Sequence, residues 1–447
     1  MFGQAIAIAR NTFIESVRQP IFIILVLLSG VFQVFNTLLS AYSMGFSEEA
    51  EVYGDDKMLL DMGLATVMVC ATTLAAFIAT AVLSEEIENK TVLTVVSKPV
   101  GRPLFVLSKY LGVVGAILLS LVIMLCFFFL AIRHGVMSTA RDQVDLVVVL
   151  FGVGSVLLAA GLGVWGNFFY GWVFSSTTTF TLAPLLVIGY AASLVISPEW
   201  TLQPIGTEFK PQIMLAAYCV GLAMMVLTAL ALACSTKLGQ VMTIVVCAGF
   251  FMLGLLSNHL LGRYAFENTS IGTIAEVRDI EIGETMRNAG DNAIIRFERP
   301  PTVRIDPGDR FFFGPDPSGI GIVTQDTAIF DGDPDSQQDI LGAEPALIYQ
   351  SIGLDREYTI INAGGLNLDR LPTEGDFVFQ RPTQTNLIAR TAWGVIPNLQ
   401  SFWLVDAITQ GHPVPTRYVA MVTAYGGVHV VALLSIAVAL FQRRDVG

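Results

Sequence analysis

Eight apolar runs, most of them long enough to cross a bilayer unaided, limit what this chain can fold into. They cover residues 21–42, 59–83, 104–132, 144–168, 182–196, 213–234, 241–261 and 418–441. In hydrocarbon a backbone amide has no water to bond, so about twenty apolar residues in a row cross as a helix. A hydrophobic content of 53%, only 14% charged residues and a mean hydropathy of +0.65 agree with that reading. The expected fold class is a polytopic α-helical membrane protein of about eight spans. The fifth run is the weakest, short at its core and preceded by the polar stretch SSTTTFT. Whether residues 141–197 form two full spans is left open.

Charge is local rather than global. Of a net charge of −12, residues 262–417 contribute −10, with 22 Asp or Glu against 12 Arg and no Lys. No basic stripe exists to displace counterions, which excludes nucleic acid as a partner. The same region carries short alternating segments (AIIRFER, EYTIINA, FVFQRP) punctuated by PPT, DPGD, GPDPSG and DGDPD. This is the pattern of a β-rich domain, inserted before the last span. All five cysteines fall in apolar runs, where they act as small hydrophobes, and no disulfide framework or metal-binding CxxC is present.

The first long run begins only at Ile21, without a small-residue cleavage site, so the N-terminus does not read as a cleavable signal. Residues 1–19 predict an amphipathic helix at the membrane surface. Phe2, Ile6, Ala9, Phe13 and Val17 share one face, and Gln4, Asn11, Glu15 and Arg18 the opposite one. A helix packed on the protein itself is the alternative. Arg10 and Arg18 before the first span, Lys237 between the sixth and seventh, and Arg443 and Arg444 after the last all become cytoplasmic with eight spans. Both termini are then cytoplasmic, and the acidic turn 48–56 and the β-rich domain lie outside. Phe402, Trp403 and Leu404, just before the last span, suit the headgroup level.

No phosphate loop GxxxxGK[ST], HExxH or GxSxG occurs, so the residues give no catalytic site and no ATP site. Asp61 stands at the outer end of the second span and Lys109 at the inner end of the third. His429 is the ionisable group well inside a span, a possible intramembrane polar site or simply a helix-to-helix hydrogen bond. The missing midplane carboxylates disfavour an ion-coupled secondary transporter. Asp331, Asp333, Asp335 and Asp339 resemble the start of a calcium loop. Ser336 replaces the turn glycine, however, and Gly342 stands where the bidentate Glu belongs, which favours a solvated acidic loop.

Between the second and third spans lies a charged connector, residues 84–103, whose first half (85–96) has no Gly or Pro and reads as a helix. Its pattern is E-E-x-E-x-x-T, then S-x-P-x-x-R-P, then Lys109. With the surface helix before the first span and a C-terminal span ending Phe441-Gln-Arg-Arg-Asp, the chain resembles the ABC-2 type permease family. The resemblance covers residues 1–130 and, more thinly, 213–261 and 397–447; it does not reach the β-rich domain. It implies that residues 1–19 are an elbow helix and that 20–261 carry the spans with a cytoplasmic coupling loop at 84–103. Residues 262–417 are then an extracytoplasmic domain, and 418–447 the last span and tail.

Glu85, Glu88, Thr91, Ser97, Pro99, Arg102 and Lys109 match the family's loop, which implies docking of a separately encoded ATP-binding subunit. By the same resemblance the chain binds no cofactor, ATP and Mg being held by that partner. It would pair with a second copy or a related permease and reside in the cytoplasmic membrane of a prokaryote. The implied function is the permease half of an ATP-driven exporter. The rivals are a force-transmitting or sensory membrane protein working through its outer domain, and a membrane-anchored enzyme. Six spans are usual in the family, and the material at 141–197 departs from that.

Overall fold

The structure is a computed structural model. It describes residues 2–40, 48–84, 101–137, 144–278, 286, 288–317, 319, 321–324, 326–353, 356–368, 370–405, 408 and 414–443. The chain divides into two compact units, one formed by Met1–Leu255 with Leu399–Gly447, the other by Leu256–Asn398.

The first unit is helical. After α1 (Phe2–Arg18) come α2 (Pro20–Leu39), α3 (Glu48–Ala79), α4 (Arg102–His134), α5 (Leu146–Tyr170) and α6 (Phe174–Val195). Then follow α7 (Pro211–Ser235) and α8 (Gln240–Ser257). Eight helices among the described residues are long and apolar enough to cross a membrane: Pro20–Leu39, Lys57–Val82, Arg102–His134, Leu146–Tyr170, Phe174–Val195, Pro211–Ser235, Gln240–Ala265 and Thr416–Gln442. This is a multi-pass membrane protein. The inner helices are α3, α4 and α7. Their buried residues (Leu64, Val67, Leu74, Val113, Ile117, Val220, Leu227) form one continuous core, while α5 and α8 leave most of their apolar surface outward.

Small residues set how closely these helices approach. A Cβ on Gly63 of α3 would lie 2.6 Å from the Phe128 ring of α4, and one on Gly112 of α4 would lie 2.5 Å from the Ala9 carbonyl oxygen of α1. Association of helices in lipid depends on such backbone approach, since burial of apolar surface gives no driving force there. Polar side chains join α2 to α3 as well. Gln33 Nε2 donates to the Gly63 carbonyl at 2.9 Å, and Asn36 Nδ2 to Thr66 Oγ1 at 3.2 Å.

Two expectations need correction. The fifth span is not short: α6 begins at Phe174, takes in the whole polar stretch and runs 22 residues, about 33 Å. Thr177, Thr179 and Thr181 return their hydroxyls to the carbonyls of Val173, Ser175 and Thr177, so these polar groups cost the helix little. Residues 141–197 therefore contain two full helices, α5 and α6. The acidic segment 48–56 is no turn either, because α3 starts at Glu48. Carboxylates in a first helical turn are favoured by the helix dipole, and this tips the segment into the helix that follows.

In the second unit, α8 is continued to Ala265, and short β1 (Phe266–Glu267) follows. Next come β2 (Ser270–Arg278), β3 (Asn292–Phe297), β4 (Phe312–Gly314), α9 (Gln337–Gly342), β5 (Ala346–Ile352), β6 (Glu357–Ala363), β7 (Phe377–Phe379) and β8 (Gln384–Thr385). The six-stranded antiparallel sheet has the order β4-β7-β2-β3-β6-β5, and β1 pairs with β8. Alternation along the strands gives it two buried faces. Ile295, Phe297, Leu347, Tyr349 and Ile360 enter one core with Phe311 and Phe313, whereas Ala346, Ile348, Ile361 and Ala363 meet Ile340 of α9. Helix α10 (Leu387–Val395) ends this unit, and α11 (Thr416–Gln442) closes the helical one.

Candidate functional site

The segment linking α3 to α4 is flanked by unusual geometry. Helix α3 leaves through a π-helical turn, Thr80–Ser84, the wide turn that often marks functional positions. Glu85, Glu88, Thr91, Ser97 and Pro99 lie outside the described residues. Arg102 and Lys109 are described. Gly101, extended at φ −62° and ψ 137°, caps α4, with Pro103 in its first turn, where a missing N–H costs nothing. Arg102 Nη1 donates to the Gln442 carbonyl at 2.9 Å, placing a cation on the last turn of α11. One turn on, the Phe105 ring stacks on Phe441 with centroids 5.7 Å apart. Val106, Tyr110, Leu232, Ala233, Leu434 and Ala437 complete that cluster, and Tyr110 Oη donates to the Met225 carbonyl at 3.1 Å.

The exit of the connector, the end of α7 and the end of α11 are thus one packed knot. The loop arginine and the Phe441–Gln442 part of the tail signature are brought together by it. Lys109 is only 3% exposed, its Nζ 5.7 Å from the Phe105 centroid, so it packs within protein instead of reaching headgroups.

Alongside, α1 packs on α4. Its buried side chains are Thr12, Ser16 and Val17, with Ile8, Ala9 and Phe13 half-buried, while Ile6 is 66% exposed. The packed face is rotated from the apolar one, which leaves part of the apolar stripe free. Ser175 Oγ of α6 lies 2.9 Å from the Val17 carbonyl oxygen and 3.0 Å from that of Gln19, holding the corner between α1 and α2.

The other end of α4 carries a node that sequence reasoning missed. Arg133 Nη1 lies 3.1 Å from Asp145 Oδ2, with side-chain exposures of 6% and 5%. Asp145 Oδ1 meanwhile caps α5, accepting from the Val147 and Val148 amides. Arg133 Nε is 3.3 Å from the Ser193 carbonyl of α6 and 3.8 Å from Glu208, ahead of α7. One guanidinium therefore joins α4, α5, α6 and the approach to α7. It borders a cavity of about 20 Å³, room for a single water, with Tyr190, Leu194 and Lys210 among its walls. Arginine and aspartate at the ends of adjacent apolar runs were the available signal.

Comparison with known proteins bears on this geometry. Residues 6–165 match the model of the ABC-2 family transporter proteins. This stretch is similar to the ABC-2 family transporter proteins. It runs from α1 through most of α5, and so contains the elbow-like helix, the connector with Arg102 and Lys109, and the Arg133–Asp145 node. No curated protein and no solved structure matches the chain. The similarity over residues 6–165 lends support to reading the chain as a membrane permease.

The remaining candidate residues are described by their local contacts. His429 is buried, its Nδ1 3.0 Å from the Tyr425 carbonyl of its own helix and its ring 4.4 Å from the Tyr425 ring. It closes a local contact and does not reach across to another helix through that nitrogen. In the calcium-like loop, Asp339 Oδ2 accepts from the Asp333 amide, Asp333 Oδ1 from the Asp335 amide, and Ser336 caps α9. Those carboxylates serve turn and cap, and among the described residues no group of three or more His, Cys, Asp or Glu is placed to hold a metal. Phe402 and Leu404 turn into the helical core, and Trp403 Nε1 donates to Asp61 Oδ1 at 3.2 Å. This aromatic segment therefore packs on protein, through the apolar core and the Asp61 acceptor. His412 and Arg444 lie outside the described residues.

Proposed function

We propose that this protein is an ABC-2 type permease, the membrane half of an ATP-driven exporter, moved by a separate ATP-binding subunit that docks on the connector 84–103. Glu85, Glu88, Thr91, Ser97 and Pro99 form the docking segment, and Arg102 anchors its exit. The partner supplies ATP and Mg. Two permease chains, identical or related, complete the assembly in a prokaryotic cytoplasmic membrane, with both termini cytoplasmic and the β-rich unit outside.

The observation that carries this reading is the Arg102–Gln442 and Phe105–Phe441 knot. A push on the connector reaches the ends of α7 and α11 through direct contact. It also enters α4, a helix of 33 residues and about 50 Å that ends at the Arg133 node. Packed helices answer such a push by switching between discrete arrangements. In vesicles reconstituted with the ATP-binding subunit, Arg102→Ala with Phe105→Ala is expected to leave ATPase activity in place and lower ATP-dependent substrate flux. Flux that persists at the wild-type ratio to ATP hydrolysis contradicts the route.

A second reading rests on the compact β unit, Leu256–Asn398. There ATP hydrolysis moves that unit and nothing crosses the bilayer. ATPase activity without flux of any candidate cargo, combined with ATP-dependent change in hydrogen exchange of the sheet, favours it.

A further inference from the structure

The turn between α5 and α6 carries an exposed aromatic group that the transport reading leaves unused. Trp165, Phe168, Phe169, Tyr170 and Trp172 are each between 47% and 81% exposed. They are not loose. The Tyr170 ring stacks on Trp172 at 5.1 Å, Phe168 meets Phe169 edge-on at 5.1 Å, and Trp165 touches Tyr170 at 5.2 Å. Gly171 turns the chain at φ +67°, and Asn167 Nδ2 donates to the Trp172 carbonyl at 2.7 Å. Gly166 makes room for Trp172, whose Cε3 would stand 2.7 Å from a Cβ there.

Charge and length identify what covers this group. No Asp, Glu, Lys, Arg or His occurs from residue 146 to residue 198. Helix α5 spans 25 residues, about 37 Å, longer than a hydrocarbon core of roughly 30 Å. Its ends therefore reach the headgroups, and at the turn only the aromatic rings are available to fix their depth. Rings with an apolar body and an N–H or O–H tip favour that level. The turn is also held to the corner after α1 by Ser175, through the carbonyls of Val17 and Gln19.

We infer that the α5–α6 turn is a membrane-interface anchor, its aromatic cluster seated among lipid headgroups and upper acyl segments level with α1. It rests on the spanning architecture and not on ATP coupling. The cluster contains two of the five tryptophans, and a Trp-to-Phe change at each keeps an aromatic ring in place. The test reconstitutes the full chain and Trp165→Phe/Trp172→Phe in phosphatidylcholine–phosphatidylglycerol vesicles. Emission is compared with lipids brominated near the headgroup, with lipids brominated near the chain end, and with aqueous iodide. The difference signal, owed to Trp165 and Trp172, is expected to be lost most strongly to the shallow bromines. Loss mainly to iodide or to deep bromines overturns the anchor. So does loss to neither quencher together with cross-linking between copies through Phe169→Cys, which would put a second chain on the patch.

Discussion

Arg133 binds four pieces of chain through one side chain, and the physics of buried charge sets the cost of removing it. A buried ion pair adds little net stability, yet deleting one partner strands the other and costs about 3–5 kcal/mol. Arg133→Met is therefore expected to lower the thermal midpoint of the purified protein sharply, and Arg133→Asp with Asp145→Arg to recover part of it. A midpoint unmoved by Arg133→Met contradicts the node. In the β-rich unit, Arg278 donates a paired hydrogen bond to Glu276, and with the charge of Arg296 this holds the Glu276 carboxyl below the ordinary carboxylate range. Folded Glu276 then binds its proton less readily than unfolded Glu276. Its contribution is present above the unfolded value and fades as pH falls through the folded one. Hydrogen exchange of β2 and β3, corrected for intrinsic rate, is expected to rise on acidification, and less steeply in Glu276→Gln. At this scale the sequence was least legible. Arg133 and Asp145 were not singled out, because their pairing depends on how α4 and α5 pack. Lys109 read as a cation at the inner end of the third span, and its burial was hidden for the same reason.

Among the elements, α1 is held by close backbone approach to α4. A side chain at Gly112 has no room, since the Ala9 carbonyl and Thr12 Cβ would stand within 2.6 Å of its Cβ. Gly112→Leu is expected to displace α1, at an overpacking cost of about 1–3 kcal/mol, and to expose a cysteine placed at Thr12 to a water-soluble maleimide. Unchanged labelling would mean that α1 does not depend on this contact. Most elements were legible beforehand. Span positions came from apolar length, and β3, β6 and β7 from period-two alternation, because both signals are local. Helix α6 was underestimated since its hydroxyls lower hydropathy while satisfying themselves on its own carbonyls. The start of α3 was missed because acidic residues signal a turn and a helix N-terminus alike.

At the scale of the whole molecule, the connector, the long α4 and the distal ion-pair node make a mechanical path only if something pushes on the connector. Residues 6–165 are similar to the ABC-2 family transporter proteins, and the fold shows where the exit of residues 84–103 is fastened. The proposal of Glu85 and Glu88 as docking residues came from the loop pattern alone, since their segment lies outside the described residues. Docking is measured most simply by gentle extraction of tagged protein from its native host, with quantification of any co-purifying ATP-binding subunit and its ATPase activity. Such a subunit is expected to accompany the wild-type chain, and Glu85→Lys with Glu88→Lys to remove it while membrane insertion is unchanged. A partner retained in full by the charge-reversed chain, or wild-type protein emerging with no ATP-binding subunit, would contradict docking on the connector.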